Sequence, residues 1–228
     1  MQTDIPNLLI AATGEKEPGK GGSGFRKLVL ASRMKPDEVG ALRANIVGVM
    51  CNNPSGGVFT KAEDLVVPFI YSPKGRTSED YRRIFRESGA THLALSGWLG
   101  KVEGLDNETP FNPRVVFNIH PAWDMVKFGG KGFHGHHVHE AVIEAYKRGE
   151  VTFSGVTMHF VTAKYDDPAA VFFKRRVPIY PDDTADTLQA RVNAMEHKWQ
   201  AIITDRVVNG KIYWNGRDAS SIVGADIE

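Results

Sequence analysis

The segment Phe117-Asn118-Ile119-His120-Pro121 places an amide and an imidazole two residues apart, directly after the apolar pair Val115-Val116. In an extended strand residues i and i+2 share a face, and a proline ends the ladder, so both polar side chains fall together at the rim of a sheet. Asn118 offers a neutral N–H donor suited to a developing oxyanion, and His120 titrates near neutrality and can move a proton. Asp166 supplies a carboxylate at the end of a predicted hairpin, where it can orient an imidazole or raise its pKa. The three together suit attack on a carbonyl without a covalent nucleophile. The plainer reading, a histidine that merely satisfies its hydrogen bonds at a strand end, stands beside it.

Two further groups invite chemistry. His134, His136, His137 and His139 crowd the start of a predicted helix near Gly135, and His136 and His139 at i, i+3 share a face as metal ligands can. No carboxylate stands at a diagnostic metalloenzyme spacing, so a structural or substrate-contacting role is favoured over a metal. Gly14 to Gly24 is rich in glycine and lysine and lies between an apolar strand and a helix. That order aims backbone N–H groups and a helix dipole at an anion. The loop lacks the spacing of a Walker loop and of a dinucleotide fingerprint, and a flexible connector has the same composition.

The elements that must hold these groups alternate in type. Apolar runs Asn7–Ala12, Asn45–Cys51, Val67–Tyr71, His92–Ser96 and Arg114–Ile119 read as buried strands. Between them fall helices carrying Phe25, Leu28 and Val29, then Thr60 to Leu65, then Tyr81, Ile84 and Phe85 after a Ser78 cap. This βαβ rhythm predicts an α/β fold with a parallel sheet covered on both faces, where ligands collect at the carboxyl ends of strands. Later come a helix with Val138, Val142 and Tyr146, and strands Gly155–Thr162 and Val171–Ile179 that can pair around Ala163–Ala170. A long helix capped by Asp182 or Thr184 and a last short strand over Lys211–Trp214 complete the pattern.

The whole sequence narrows the class. With 228 residues, 28 basic against 27 acidic, no global field draws a nucleic acid, and any anion must be bound locally. A single cysteine, Cys51, excludes an intramolecular disulfide and a cysteine-rich zinc site, and it reads as a buried small hydrophobe rather than a nucleophile. No apolar run reaches the length of a membrane span, and the N-terminus does not read as a signal peptide. The expectation is a cytoplasmic protein with small-molecule partners, no nucleic acid and no membrane.

Asn118-Ile119-His120-Pro121 is followed by Phe128-Gly129-Gly130-Lys131-Gly132-Phe133, Val138-His139-Glu140-Ala141-Val142, Ser154-Gly155, Met158-His159-Phe160-Val161 and Glu196-His197-Lys198. This set strongly resembles the phosphoribosylglycinamide formyltransferases of purine synthesis, over about residues 7 to 215 and most densely from 114 to 200. The first tetrapeptide is shared with other 10-formyltetrahydrofolate-dependent transferases; the Gly129–Gly132 loop and the Glu196-His197 pair favour the ribonucleotide branch.

The resemblance implies the formyltransferase fold, a Rossmann-like, mostly parallel central sheet with helices on both faces. It implies one domain over 1–228, with a nucleotide-binding half of about 1–113 and a catalytic and folate-binding half of about 114–228. The reaction implied passes the formyl group of 10-formyltetrahydrofolate, a co-substrate, to the amine of glycinamide ribonucleotide without a metal, in a monomer or homodimer. Asn118 would stabilise the oxyanion, His120 would assist and shuttle a proton, and Asp166 would hold the His120 imidazole. Gly22, Ser23 and Gly24 would wrap the substrate phosphate, and Asn193 and Glu196 the ribose hydroxyls. Folate would lie against Trp98, Leu99, Gly100, Lys101 and Val102, and against Thr162, Ala163, Lys164, Tyr165 and Asp167.

Two departures from the family pattern carry expectations. Asp167 and Pro168 stand where glycines usually follow the aspartate, implying a differently shaped folate loop. The first loop is longer, with Glu15 to Lys20 inserted and Gly24 in place of a common asparagine, and Lys20 can add a charge-assisted phosphate contact. The alternatives are a transferase using the same donor on another amine, such as an amino sugar, and a non-catalytic folate- or nucleotide-binding homologue.

Overall fold

The computed structural model of the chain describes residues 5–15, 17, 19–73, 76–130 and 135–228. An eight-stranded sheet runs through it in the order β3-β2-β1-β4-β5-β6-β7-β8. Strands β1 (Asn7–Ala12), β2 (Asn45–Cys51), β3 (Phe69–Tyr71), β4 (His92–Ser96) and β5 (Val116–His120) are parallel. Then β6 (Phe153–Phe160) pairs antiparallel with β5, β7 (Val171–Pro178) antiparallel with β6, and β8 (Asp226–Ile227) parallel with β7.

Side-chain alternation along the strands builds a core on each face. Leu8, Ile10 and Ala12 of β1 join one cluster, while Leu9 and Ala11 join the other. The first core is closed by α1 (Ser23–Ser32), α2 (Gly57–Asp64), α5 (His136–Lys147) and α6 (Ala185–Val208), through residues such as Phe25, Val58, Val142 and Leu188. The second is closed by α3 (Ser78–Glu87), with Tyr81, Ile84 and Phe85, and by the segment holding Trp98, Val102 and Phe111. A one-turn α4 (Met125–Phe128) follows β5. No helix among the described residues is long and apolar enough to cross a membrane.

Several boundaries differ from the sequence pattern for local reasons. The α3 cap is Thr77, not Ser78: its hydroxyl accepts from the Asp80 N–H while the Asp80 carboxylate accepts from the Thr77 N–H. Helix α2 begins at Gly57, three residues early, because Gly56 at φ 91° turns the chain. The third strand shortens to Phe69–Tyr71, since Val66 takes a positive φ of 52° and the Val67 N–H still bonds back to Ala62. The strand expected over Lys211–Trp214 is a single bridge between Tyr213 and Val223, and the edge is made by β8. Thr184 is the α6 cap, closing a box with Thr187.

Candidate active site

Strand order reverses between β1 and β4, so the connections leaving their carboxyl ends diverge and leave a crevice. A cleft of about 240 Å³ lies there, extended to the end of β5. Three elements border it. The turn Gly21-Gly22 enters α1, both glycines at positive φ, and Gly22 caps the helix without any side-chain hydrogen bond. The first-turn N–H groups of α1 are thereby left open toward the cleft. The β4 end contributes Ser96 to Leu99, held by Thr13, whose N–H donates to the Gly97 carbonyl at 3.1 Å and whose hydroxyl accepts from the Leu99 N–H at 2.9 Å. Helix α6 contributes Asn193, Glu196, His197 and Gln200.

Asn118 and His120 share a face of β5 with Val116, as the two-residue period requires, and both line the cleft. The antiparallel register sets His159 of β6 directly across from Asn118. The Asn118 amide donates to His159 Nε2 at 3.3 Å, and His159 Nδ1–H donates to the Phe160 carbonyl at 2.9 Å. That second bond fixes the tautomer, so Nε2 is the accepting nitrogen that fixes the orientation of the amide.

The bond expected between Asp166 and His120 is not formed. His120 Nε2–H donates instead to the Phe128 carbonyl at 2.7 Å, which makes Nδ1 the proton-accepting nitrogen of the neutral ring. Asp166 Oδ2 accepts from the Gly130 N–H at 2.7 Å, and Oδ1 stands 3.5 Å from His159 Nε2. Asp166 therefore acts on His120 through its charge alone. Burial pushes the His120 imidazole below its ordinary range, while the Asp166 carboxylate and the Phe128 carbonyl pull it back up. Burial also works to raise the Asp166 carboxyl, but its other contacts, the hydrogen bond from the Gly130 N–H among them, outweigh it and hold that carboxyl low. Asp166 reaches this position at φ 45°, a left-handed conformation that costs a non-glycine residue energy and clusters at functional sites.

The departures in the next two residues cost the loop little. Asp167 is extended at φ −68°, and Pro168 opens a 3-10 turn over Pro168–Ala170, where its missing N–H is not needed. Asp167 instead closes the loop, accepting from Thr162 Oγ1 at 3.0 Å and from the Ala169 N–H at 3.1 Å.

A second, narrower slot of about 30 Å³ meets the cleft, lined by Trp98, Gly100, Lys101, Val102, His159, Thr162, Lys164 and Tyr165. Trp98, Asn118, Tyr165 and Asp166 line both. Leu99 lines the cleft alone, and Ala163 and Asp167 line neither. Gly22, Ser23, Gly24, Asn193 and Glu196 all border the cleft, and none of them lines the slot. Burial raises the Glu196 carboxyl to about 7. Gly24 is a steric requirement here: a Cβ would collide with Ser96 Oγ and Gln200 Oε1, which join at 3.0 Å through the Gln200 amide. Lys20 does not border the cleft and pairs with Glu17 at 2.7 Å.

His139, one of the histidine cluster for which the sequence favoured a structural or substrate-contacting role, lines the cleft. It is 3% exposed, its Nδ1 has no hydrogen-bond partner among the described residues, and burial lowers it to about 4, so it stays a neutral ring at the cleft wall. His136 bonds Gln189 at 2.8 Å and His137 bonds Glu140 at 2.9 Å, so the histidines diverge. Among the described residues no group of three or more histidine, cysteine or acidic side chains is placed to hold a metal ion. His134 and the Lys131-Gly132-Phe133 part of the glycine loop lie outside the described residues.

The comparisons with known proteins follow this geometry. A family profile described as formyl transferase matches residues 20–204. A chloroplastic phosphoribosylglycinamide formyltransferase of Vigna unguiculata is 32% identical over 200 residues, covering 85% of this chain and 60% of its own. The phosphoribosylglycinamide formyltransferase of Bacillus subtilis is 27% identical over 184 residues, covering 78% and 85%. A solved structure titled glycinamide ribonucleotide transformylase 1 from Symbiobacterium toebii superposes with a TM-score of 0.73 at 20% identity, covering 92% of this chain and 91% of that one. The chain spans 60–64% of the length of the three plant relatives it matches.

Proposed function

Because the chain belongs to the formyl transferase family, we propose that it transfers the formyl group of 10-formyltetrahydrofolate to the amine of glycinamide ribonucleotide, a step of purine synthesis. One observation carries the reading. Asn118 and Asp166 stand in the shared wall of a polar cleft, open to backbone N–H groups, and a slot flanked by Trp98 and Tyr165. A phosphorylated acceptor in the first and a folate in the second bring an amine and a formyl carbon together at that wall.

In this reading a C–N bond forms between the acceptor amine and the formyl carbon, the bond from that carbon to the folate nitrogen breaks, and the amine's proton ends on the folate nitrogen. Asn118 donates its amide N–H to the oxyanion that develops on the formyl oxygen. His120 takes the amine's proton at Nδ1, its Nε2–H being held by Phe128, and returns it to the leaving nitrogen. Asp166 favours the transient imidazolium by its charge. The α1 N-terminus with Gly22, Ser23 and Gly24 holds the phosphate, Asn193 and Glu196 hold the ribose, and the folate lies along Trp98–Val102 and 162–167. The two halves, about 1–113 and 114–228, act as one domain, supported by the continuous sheet. Small-molecule substrates and a cytoplasmic setting belong to the same proposal, supported by the balanced charge.

The test is to mix the protein with glycinamide ribonucleotide and 10-formyltetrahydrofolate and follow tetrahydrofolate release. Turnover is expected. Turnover with an amino sugar but not with this amine would overturn the acceptor, and binding without turnover would overturn the enzymatic reading.

A further inference from the structure

The aromatic wall of the slot is held by a residue that lines neither the slot nor the cleft. Trp98 borders both spaces and is 5% exposed. The Arg76 guanidinium lies over its ring, 4.2 Å from the centroid. That side chain is itself pinned: Nε donates to Ser72 Oγ at 3.0 Å, Nη2 to the Ser72 carbonyl at 2.9 Å and Nη1 to Tyr81 Oη at 3.4 Å. Ser72 directly follows β3, and its N–H donates to the Cys51 carbonyl at the end of β2 at 2.8 Å. Thr77, the residue after Arg76, is fixed as the α3 cap. Arg76 therefore reaches the indole from a turn that the sheet holds at one end and a helix at the other.

The edge of the ring belongs to the same network. Trp98 Nε1–H donates to Tyr81 Oη at 3.2 Å, and the Tyr81 O–H donates in turn to the Lys101 carbonyl at 2.8 Å. Tyr81 thus accepts from both Arg76 and Trp98 and bonds the backbone of the wall segment. Gly100 leaves the room this requires: a Cβ there would stand 2.4 Å from Arg76 Nη1 and 2.9 Å from Trp98 Nε1. A planar guanidinium suits the position, because it stacks on an aromatic face while its in-plane N–H groups bond at the rim, which an ammonium cannot do at once.

We propose that Arg76 is a positioning residue for the formyl donor, holding the Trp98 indole in the orientation that forms the slot wall. The inference rests on the formyl-transfer reading. Without the guanidinium the ring gains freedom to turn, and the bound donor must order it again, so the loss falls on donor KM. The acceptor, held by the α1 turn and α6, keeps its contacts.

The test is steady-state kinetics of Arg76→Met, which keeps an apolar stem, and of Arg76→Lys. The second retains stem and charge and so tests the role even where Arg76→Met folds poorly. Donor KM is expected to rise about two- to thirtyfold in Arg76→Met, the range that a cation–π contact spans. It is expected to rise in Arg76→Lys as well, with acceptor KM and kcat little changed in both. A merely weakened fold lowers kcat through loss of active protein and leaves both KM values alone. The Trp98 indole N–H resonance, identified by its loss in Trp98→Phe, is expected to exchange faster with solvent in both variants. Wild-type turnover with donor KM unchanged in both variants, donor and acceptor KM rising in parallel, or a fall in kcat alone would each overturn the positioning role and leave the reaction standing. Absence of wild-type turnover would overturn the reaction and this role with it.

Discussion

The two sides of the cleft are built by opposite means. Along β5 and β6 the polar side chains are tied to one another or to backbone: Asn118 to His159, His159 to the Phe160 carbonyl, His120 to the Phe128 carbonyl, Asp166 to the Gly130 N–H. On the other side, α1 and α5 begin at the cleft, at Gly22 and Gly135, with no side-chain cap among the described residues. Helices α3 and α6 begin away from it at Thr77 and Thr184, each closed by a capping box. Under the proposed reaction the contrast is a division of labour. Reacting groups need fixed geometry, which interlocking side chains supply; an anion needs donors that the fold has not already satisfied.

The largest expected effects fall on the interlocked side. Asn118→Ala should lower kcat by about 10²–10³-fold with a much smaller change in acceptor KM, as loss of one oxyanion donor does. An equal fall in kcat/KM through KM alone would place Asn118 in ground-state binding instead. Asp166→Asn should lower kcat by about 10²-fold, at the low end for acid–base assistance, and should also move the pH profile. The Asp166 charge raises the buried His120, so without it the imidazole stays neutral to lower pH. If Nδ1 is the working base, activity is lost as pH falls through the His120 pKa, and that acid limb should lie lower in the variant. A limb on the basic side that moved instead would mean that the protonated ring is the active form.

Much of this side was legible in the sequence, and the reasons are specific. The two-residue spacing of Asn118 and His120, alternating with apolar Phe117 and Ile119, fixes strand and face together. The apolar runs of β1, β2 and β4 and the Gly149 and Gly210 stops carry their own signals. His159 did not stand out, because its pairing with Asn118 depends on an antiparallel register set across the long connection 121–152 that carries α4 and α5. The partners of His120 and Asp166 are the Phe128 carbonyl and Gly130 N–H, and a backbone group leaves no mark in residue type. Ser78 and Thr77 are both competent caps, and only the Asp80 carboxylate turning back on Thr77 separates them.

On the open side the expected effects are smaller and fall on binding. Gly24→Ala pushes a Cβ against Ser96 Oγ and Gln200 Oε1 and should raise the acceptor KM by about tenfold with kcat little changed, besides costing about 1–3 kcal/mol of stability through overpacking. Partial recovery of both in Gly24→Ala with Ser96→Ala would confirm the collision as the cause; no recovery would assign it to the backbone. Glu196 sharpens the same side. Its carboxyl is raised to about 7 by burial, so the charged acceptor of hydroxyl groups is formed only as pH rises from 6 to 8. Acceptor KM should fall a few-fold across that interval, and Glu196→Gln should flatten it. A raised carboxyl also makes the folded state lose stability as pH rises from 4.5 toward 7, since the unfolded chain releases that proton first. The Gln variant should lose this slope as well.

The smallest effect comes from a helix whose start the cleft does not use. Thr184 Oγ1 accepts from the Thr187 N–H at 3.3 Å, and Thr187 Oγ1 accepts from the Thr184 N–H at 2.9 Å. Thr184→Ala deletes one arm and should lower stability by about 1 kcal/mol in a denaturant titration. Helix α6 is also held near its start by Arg191, which pairs with Asp183 at 2.7 Å, and by Leu188 and Val192 in the core. Asn193 and Glu196 lie beyond that anchor, more than two turns from the cap. Their cleft geometry should therefore persist, with acceptor KM and kcat unchanged. A rise in KM matching the lost stability would show that the cap positions the binding helix, and would break the separation between closed helix starts that stabilise and open ones that bind.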